Sequence, residues 1–315
     1  MKLDIAVRGL EESDLSSADQ IMRQAFGTFL GLPEPGSFMG DAGYVRPRWR
    51  ANPSAAFCAE LEGELVGSNF ASNWGSVGFF GPLTIRPDLW NRGAGARLME
   101  PIVECFDRWN TKTAGLFTFA QSQKHVGLYQ KFGFWPRFLT AVMSKPVGPT
   151  AGKVQWTRFS DVPEDERKRM LLLCREVTDA IHDGLDVGLE VRAVAEQELG
   201  DTVLLWKDGQ LAGLAVCHYG PGTEGGSGNC YVKFGAVPPS PSSGPDFEHL
   251  LDACEEMASE EGLLRLVAGV STARHEAYRQ MLARGFRTDL QAVAMHRPNE
   301  PGYSRPGVYV IDDWR

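Results

Sequence analysis

The run Gly81-Pro82-Leu83-Thr84-Ile85-Arg86-Pro87-Asp88-Leu89-Trp90-Asn91-Arg92-Gly93-Ala94-Gly95-Ala96-Arg97-Leu98 constrains the fold more than any other part of the chain. It reads as a strand, a short loop with two glycines, and the first turn of a helix. The first N–H groups of a helix have no internal acceptors, and the helix dipole adds partial positive charge at the same end. Gly93 and Gly95 remove the Cβ atoms that would keep an anion away from those groups. The loop is too short for a P-loop, no Gly-Lys-Ser/Thr follows it, and the spacing of a dinucleotide fingerprint is missing. A diphosphate gripped by main chain alone fits, of the kind coenzyme A carries. An ordinary strand-to-helix turn would also use such a glycine pair.

A second motif follows the apolar strand Ala114-Gly115-Leu116-Phe117-Thr118-Phe119-Ala120: Leu128-Tyr129-Gln130-Lys131-Phe132-Gly133-Phe134. In this order the two motifs resemble the GNAT superfamily of acyl-CoA N-acyltransferases. Its loop has the form Arg/Gln-x-x-Gly-x-Gly/Ala, and its next helix ends in Leu-Tyr-x-Lys-x-Gly-Phe. The resemblance covers about residues 3–146, with Trp90 standing where Arg or Gln is usual. It implies acetyl-CoA as co-substrate. The matching strand residues are Leu83, Thr84 and Ile85, with Leu83 and Ile85 acting through their N–H groups on the pantetheine and the thioester oxygen. The matching loop residues are Asn91, Arg92, Gly93, Ala94, Gly95 and Ala96. Ser122 falls where the family often places Asn, and Tyr129 matches the tyrosine that faces the coenzyme sulfur as general acid.

A base is harder to find. Residues 77–85 carry no ionisable side chain, although many relatives place a Glu there. Three options stand: Glu60 acting through a water, His125 one turn before Tyr129, or no base at all if the acceptor is already neutral. By the same resemblance the acceptor pocket lies under the connection between the first two helices. Phe29, Glu34 and Asp41, with Trp74, would suit an amine with an apolar body. Arg46, Arg48 and Arg50 form a basic patch that could meet a phosphate or an acceptor carboxylate, or simply face solvent.

Composition narrows the class. The chain has 315 residues, enough for about two domains, with 43% hydrophobic and 23% charged residues. Its 32 basic and 40 acidic residues argue against nucleic acid as a partner and mildly favour approach of a cationic acceptor. No run reaches membrane-spanning length, the six cysteines show no C-x-x-C, and the six histidines lack metal-ligand spacing. The expectation is a cytoplasmic, metal-free protein, either monomer or homodimer, that does not engage membranes.

The chain also repeats itself. Glu62-Gly63-Glu64-Leu65-Val66-Gly67 is echoed by Asp208-Gly209-Gln210-Leu211-Ala212-Gly213, and Gly133-Phe134 by Gly285-Phe286. Spacing of this order is duplication of a whole domain. The proline- and glycine-rich stretch from Lys145 to Lys153 marks the joint, giving residues 1–148 and 153–315. Tandem GNAT proteins, mycothiol synthase among them, share this layout. In the second half Met281 replaces the tyrosine, and Pro239, Pro241 and Asp246 spoil the anion loop, so that half reads as degenerate. The expected fold is α/β: tandem GNAT domains, each a mixed, mostly antiparallel sheet flanked by helices. The expected activity is N-acetylation of the primary amine or hydrazine of a small molecule by direct attack in a ternary complex. Acetylation of a protein or peptide N-terminus, and acyl-CoA sensing without catalysis, are the alternatives.

Overall fold

The computed structural model describes residues 4–148 and 154–315. The first half runs β1 (Ala6–Gly9), α1 (Leu15–Leu30), α2 (Val45–Ala51), β2 (Ala56–Leu61), β3 (Glu64–Trp74), β4 (Val77–Phe80), β5 (Thr84–Ile85), α3 (Ala94–Arg108), β6 (Thr113–Thr118), α4 (Gln123–Gln130) and β7 (Trp135–Pro146). The joint at 149–153 lies outside the described residues. A matching succession then returns: β8 (Trp156–Arg158), α5 (Glu164–Asp179), α6 (Gly188–Gln197), β9 (Gly200–Lys207), β10 (Gln210–Gly220), β11 (Gly226–Ala236), α7 (Ser243–Glu260), β12 (Arg265–Ser271), α8 (His275–Ala283), β13 (Arg287–Arg297) and β14 (Val310–Ile311).

The repeat in sequence is a repeat in architecture. Glu62 and Gly63 have φ of 53° and 83°, and Asp208 and Gly209 have 52° and 75°. Both halves therefore turn their first hairpin on two left-handed residues, the geometry that matches the twist of the flanking strands. Gly133 (φ 82°) and Gly285 (φ 90°) each close a helix and precede a fully buried phenylalanine, Phe134 or Phe286.

Among the described residues, fourteen strands join in one sheet, ordered β1-β2-β3-β4-β6-β13-β7-β12-β11-β10-β9-β8, with β5 beside β3 and β14 beside β11. Only β4 with β6 and β11 with β12 pair in parallel. The halves exchange their final long strands. β13 lies between β6 and β7, with Val293 opposite Thr118 on one side and Leu139 on the other. β7 pairs along its second edge with β12, Ala141 opposite Val270. Neither neighbour of β7 comes from its own half, so the sheet runs straight through the joint between the repeats.

The cores sit between this sheet and the helices on its faces. All six cysteines are unpaired and buried. Among the described residues, no helix is long and apolar enough to cross a membrane. Trp74, expected in the acceptor pocket, belongs to the core where the halves meet. Its ring lies 4.7 Å from Phe79 and 5.2 Å from Phe234, and its indole N–H donates to Glu190 at 3.2 Å.

Beside Trp74 lies a set of buried charges drawn from both halves. Arg48 donates to the two Glu224 oxygens at 2.8 and 3.0 Å, and Lys233 pairs with Glu224 at 2.9 Å and Glu190 at 2.8 Å. Two cations thus face two carboxylates. Burial alone would raise the Glu224 carboxyl, but Arg48 and Lys233 together hold it well below the usual carboxylate range. The expected basic patch therefore divides: Arg48 is buried in this network, while Arg46 and Arg50 are exposed.

Two buried histidines make the fold sensitive to acid. Burial, reinforced by Lys233, lowers His218 from 6.5 to about 4, and burial likewise brings His296 to about 4. Both rings are neutral in the folded protein at neutral pH, whereas the unfolded chain takes up those protons near pH 6.5. Their contribution to stability is complete above that pH and is lost as pH falls toward 4. For His218 the displacement corresponds to about 3 kcal/mol. We expect the melting temperature to drop steeply from about pH 6.5 to 4.5, and less steeply in His218→Leu. A flat profile over that window would contradict this account.

Candidate active site

The site is built from the loop outward. After β5, Pro87–Leu89 make one 3-10 turn, and Asn91 (φ 66°) and Gly93 (φ 91°) lead the chain through left-handed conformations into α3. Gly93 caps α3, so the N–H groups of Ala94 and Gly95 face outward without helical acceptors. A Cβ on Gly93 would meet nothing within 4 Å, so the space before the helix is open. Trp90 fixes the loop by donating its indole N–H to Ile85 O at 2.8 Å. The Lys124 ammonium sits 4.9 Å from the Trp90 ring centroid. With Trp90 standing where Arg or Gln is usual in the family, a cation reaches the loop from α4. Nothing in the spacing of the sequence singled out Lys124, because its place opposite Trp90 is set by tertiary packing.

Next to the loop the sheet opens. β4 and β6 pair through residues 77–79 and 113–115 and then part. β5 stays with β3, Thr84 opposite Ser68, while β6 stays with β13. Arg86 N–H donates to Val66 O at 2.8 Å. Strand alternation then turns the Ile85 N–H away from β3, into the gap. The gap widens into a cavity of about 740 Å³, a size ordinary for small-molecule sites. Residues 83–85 line one side, residues 116–119 the other, and Asn91 with residues 93–96 its loop end.

His125 and Tyr129, one helical turn apart on α4, both line this cavity. The Tyr129 ring stands edge-on to Phe80 at 5.6 Å. Burial pushes its phenol up, the nearby Thr118 hydroxyl working the other way, so Tyr129 remains a proton donor at neutral pH. His125 lies 5.1 Å from Phe29 between ring centroids. Burial and then Lys124 lower its pKa, which leaves the imidazole neutral and able to accept a proton.

Residues 21–134, which span the loop, the parted strands and α4, match the family model described as the acetyltransferase (GNAT) family. This segment matches the GNAT family. The whole chain has the tandem GNAT fold. It is similar to a protein of Pyrococcus horikoshii assigned as an acetyltransferase (TM-score 0.68, 15% identity, covering 98% of this chain and 95% of that one). It is also similar to a GCN5-related N-acetyltransferase of Sphaerobacter thermophilus (0.61, 15%, 94% and 96%). A third similar structure is a tandem GNAT protein from the clavulanic acid biosynthesis pathway (0.56, 13%, 93% and 98%). At these identities the likeness is one of fold. No curated protein matches the chain.

Several residues singled out in the sequence lie away from the GNAT domain's cavity. Glu60 pairs with Arg8 at 2.6 Å on the outer strands, and Arg8 also holds Asp14 at 2.7 Å. Asp41 accepts from the Ser227 hydroxyl at 2.5 Å and its N–H at 3.0 Å, tying the halves together. Glu34 and Arg92 are exposed, and Ser122 caps α4 without lining the cavity. Glu60 and Asp41 are each engaged by a partner far away in sequence. Among the described residues, no Asp or Glu lines the cavity, and its charged residues are Lys124, Lys131 and Arg315. The acidic net charge thus says nothing about the site, which is locally basic. Phe29 does line it, with Phe26, Phe38, Met39 and Tyr44. Trp314 and Arg315 line it too, although no motif in the tail points to this site. No group of three or more His, Cys, Asp or Glu among the described residues is placed to hold a metal ion.

The second half treats its helix start differently. Asp246 in the first turn of α7 pairs with Lys207 at 2.7 Å and accepts from Ser242 at 2.6 Å. Ser243 Oγ donates to main-chain oxygens of Pro238 and Ser240 and accepts from the Ser240 N–H at 2.7 Å. The positive end that an anion would use already has a carboxylate of its own.

Proposed function

We propose that the GNAT domain transfers the acetyl group of acetyl-CoA to the amine of a small molecule with an apolar or aromatic body, in a ternary complex. The observation behind this reading is one cavity in which an open helix start, two parted strands, a protonated phenol and an apolar wall meet. When bound, acetyl-CoA supplies its acyl group as a thioester. The remaining tasks fall to the chain. The N–H groups of Ala94 and Gly95, with Lys124, hold the diphosphate, and those of Leu83 and Ile85 orient the pantetheine arm and the thioester oxygen. His125 accepts the proton that the amine nitrogen loses as the C–N bond forms. Tyr129 donates to the sulfur as the C–S bond breaks. A walled cavity suits a small acceptor better than a peptide terminus, which needs an open groove. In this reading residues 1–148 catalyse, and 153–315 support the site.

Thiol release from acetyl-CoA across a panel of small amines and peptides tests the reading. Wild type is expected to turn over small amines, and Tyr129→Phe to lower kcat about ten- to a hundredfold. His125 must be deprotonated to act, so kcat/KM falls with pH below its ordinary value of 6.5, and His125→Gln removes that limb. Release with peptides alone would point to an N-terminal acetyltransferase. No release despite intact acetyl-CoA binding would leave a sensor.

A further inference from the structure

The slots of the two halves are linked by the chain's own tail. β11 and β12 pair through residues 229–232 and 265–268 and then part, as β4 and β6 do. Into this second gap runs β14, with Val310 opposite Ala236 and Ile311 opposite Gly235. Arg274 secures it, donating to Val310 O at 2.8 Å and pairing with Asp312 at 2.7 Å. Two glycines then make room for the residues that follow. A Cβ on Gly269 of β12 would lie 2.2 Å from Asp313, and one on Gly115 of β6 would lie 2.0 Å from the Trp314 ring. The tail is therefore seated in both halves, and it carries Trp314 and Arg315 to the wall of the first half's cavity.

Arg315 has no part in the reaction described so far. Its Nε pairs with Asp313 at 3.1 Å, and its guanidinium lies 4.1 Å from the Tyr231 ring centroid. Asp313 is held in turn by the Tyr231 hydroxyl at 2.9 Å, and the Arg315 main-chain oxygen accepts from Arg48. Among the described residues the two terminal nitrogens of Arg315 donate no hydrogen bond of ordinary geometry, and the bond to Asp313 comes from its main-chain N–H. Lys124 belongs to the loop end of the cavity, beside Trp90. Arg315 joins the lining by way of Arg48, which lies over the Tyr44 ring and holds the Arg315 oxygen.

We infer that Arg315 receives a carboxylate on the acceptor, so that the acceptors are of amino-acid type: an amine and a carboxylate on a short apolar or aromatic body. The inference rests on the cavity being the acceptor site proposed above. A planar guanidinium with free N–H groups matches the two oxygens of a carboxylate. Asp313 lies behind that guanidinium at ion-pair distance from Nε. A cationic amine without a carboxylate would meet like charge and no acid in this cavity.

Calorimetric titration of matched pairs in the presence of coenzyme A tests it. Suitable pairs are L-phenylalanine and its amide, L-leucine and its amide, and 4-aminobenzoate and 4-aminobenzamide. Wild type is expected to bind the carboxylates about ten- to a hundredfold more tightly than the amides. Arg315→Gln erases that preference by weakening the carboxylates and not the amides, and Arg315→Lys retains part of it, so loss of fold and loss of recognition separate. Equal binding of the two members, a preference for the amide, or binding of neither overturns the inference. Carboxylate binding that depends on Arg315 without any thiol release would support it while overturning acetyl transfer. Thiol release with amides and carboxylates alike would do the reverse.

Discussion

Gly93→Glu is expected to lower the affinity for acetyl-CoA by roughly a hundredfold or more, about 3 kcal/mol, without unfolding the protein. The position is open, since a Cβ there meets nothing within 4 Å, so the new side chain displaces no packed atom. It does force an L-residue to φ 91°, at a cost of about 1–2 kcal/mol. The carboxylate recovers part of that by lying at the positive end of α3. There it occupies the place of the diphosphate and repels it. Gly93→Ala separates the two effects, because it carries the backbone strain without the charge and is expected to cost less than about tenfold. Calorimetric titration of acetyl-CoA into wild type and both variants measures this directly. Unchanged affinity in Gly93→Glu would remove the loop from the binding site.

The second large effect concerns stability. Glu224→Ala is expected to destabilise the fold by about 3–5 kcal/mol, as removing one member of a buried ion pair does. The network of Arg48, Lys233, Glu190 and Glu224 is balanced as it stands, and the substitution leaves one positive charge buried without a counter-charge. Arg48 would lose both bonds to Glu224 while keeping those to the oxygens of Gly81 and Arg315. Replacing the pair together, Arg48→Met with Glu224→Leu, leaves Lys233 with Glu190 and is expected to recover most of the loss. Urea unfolding of wild type and the two variants checks this. A loss below about 1 kcal/mol for Glu224→Ala would mean that water reaches the network.

The parts of the site legible in the sequence were those written in neighbouring residues. The glycine loop, the Tyr129 motif and the two hairpin turns each need only a few adjacent positions to be recognised. What was not legible depended on distant pairing. Glu60 looked available until Arg8 met it across 52 residues, and Asp41 until Ser227 met it across 186. The strand exchange was hidden for a related reason. β7 carries Ala141-Val142-Met143 and β13 carries Ala292-Val293-Ala294-Met295, so either has the side-chain pattern to lie beside β6. Trp314 and Arg315 sit in the tail that follows β14. Their route into the cavity depends on Gly115 and Gly269, which are unremarkable as letters.

The exchange of final strands also bears on synthesis. While the ribosome is still making the second half, β7 has left the exit tunnel before either of its final partners exists, since β12 and β13 are residues 265–271 and 287–297. At about 5–20 residues per second the nascent chain must carry this strand without them for several seconds or more. A strand edge left unpaired is a template for pairing with another chain. Polysomes crowded with this message therefore bring together first halves that can trade strands between molecules, and dilution or chaperone cover during translation would decide how much of the product is a single closed chain.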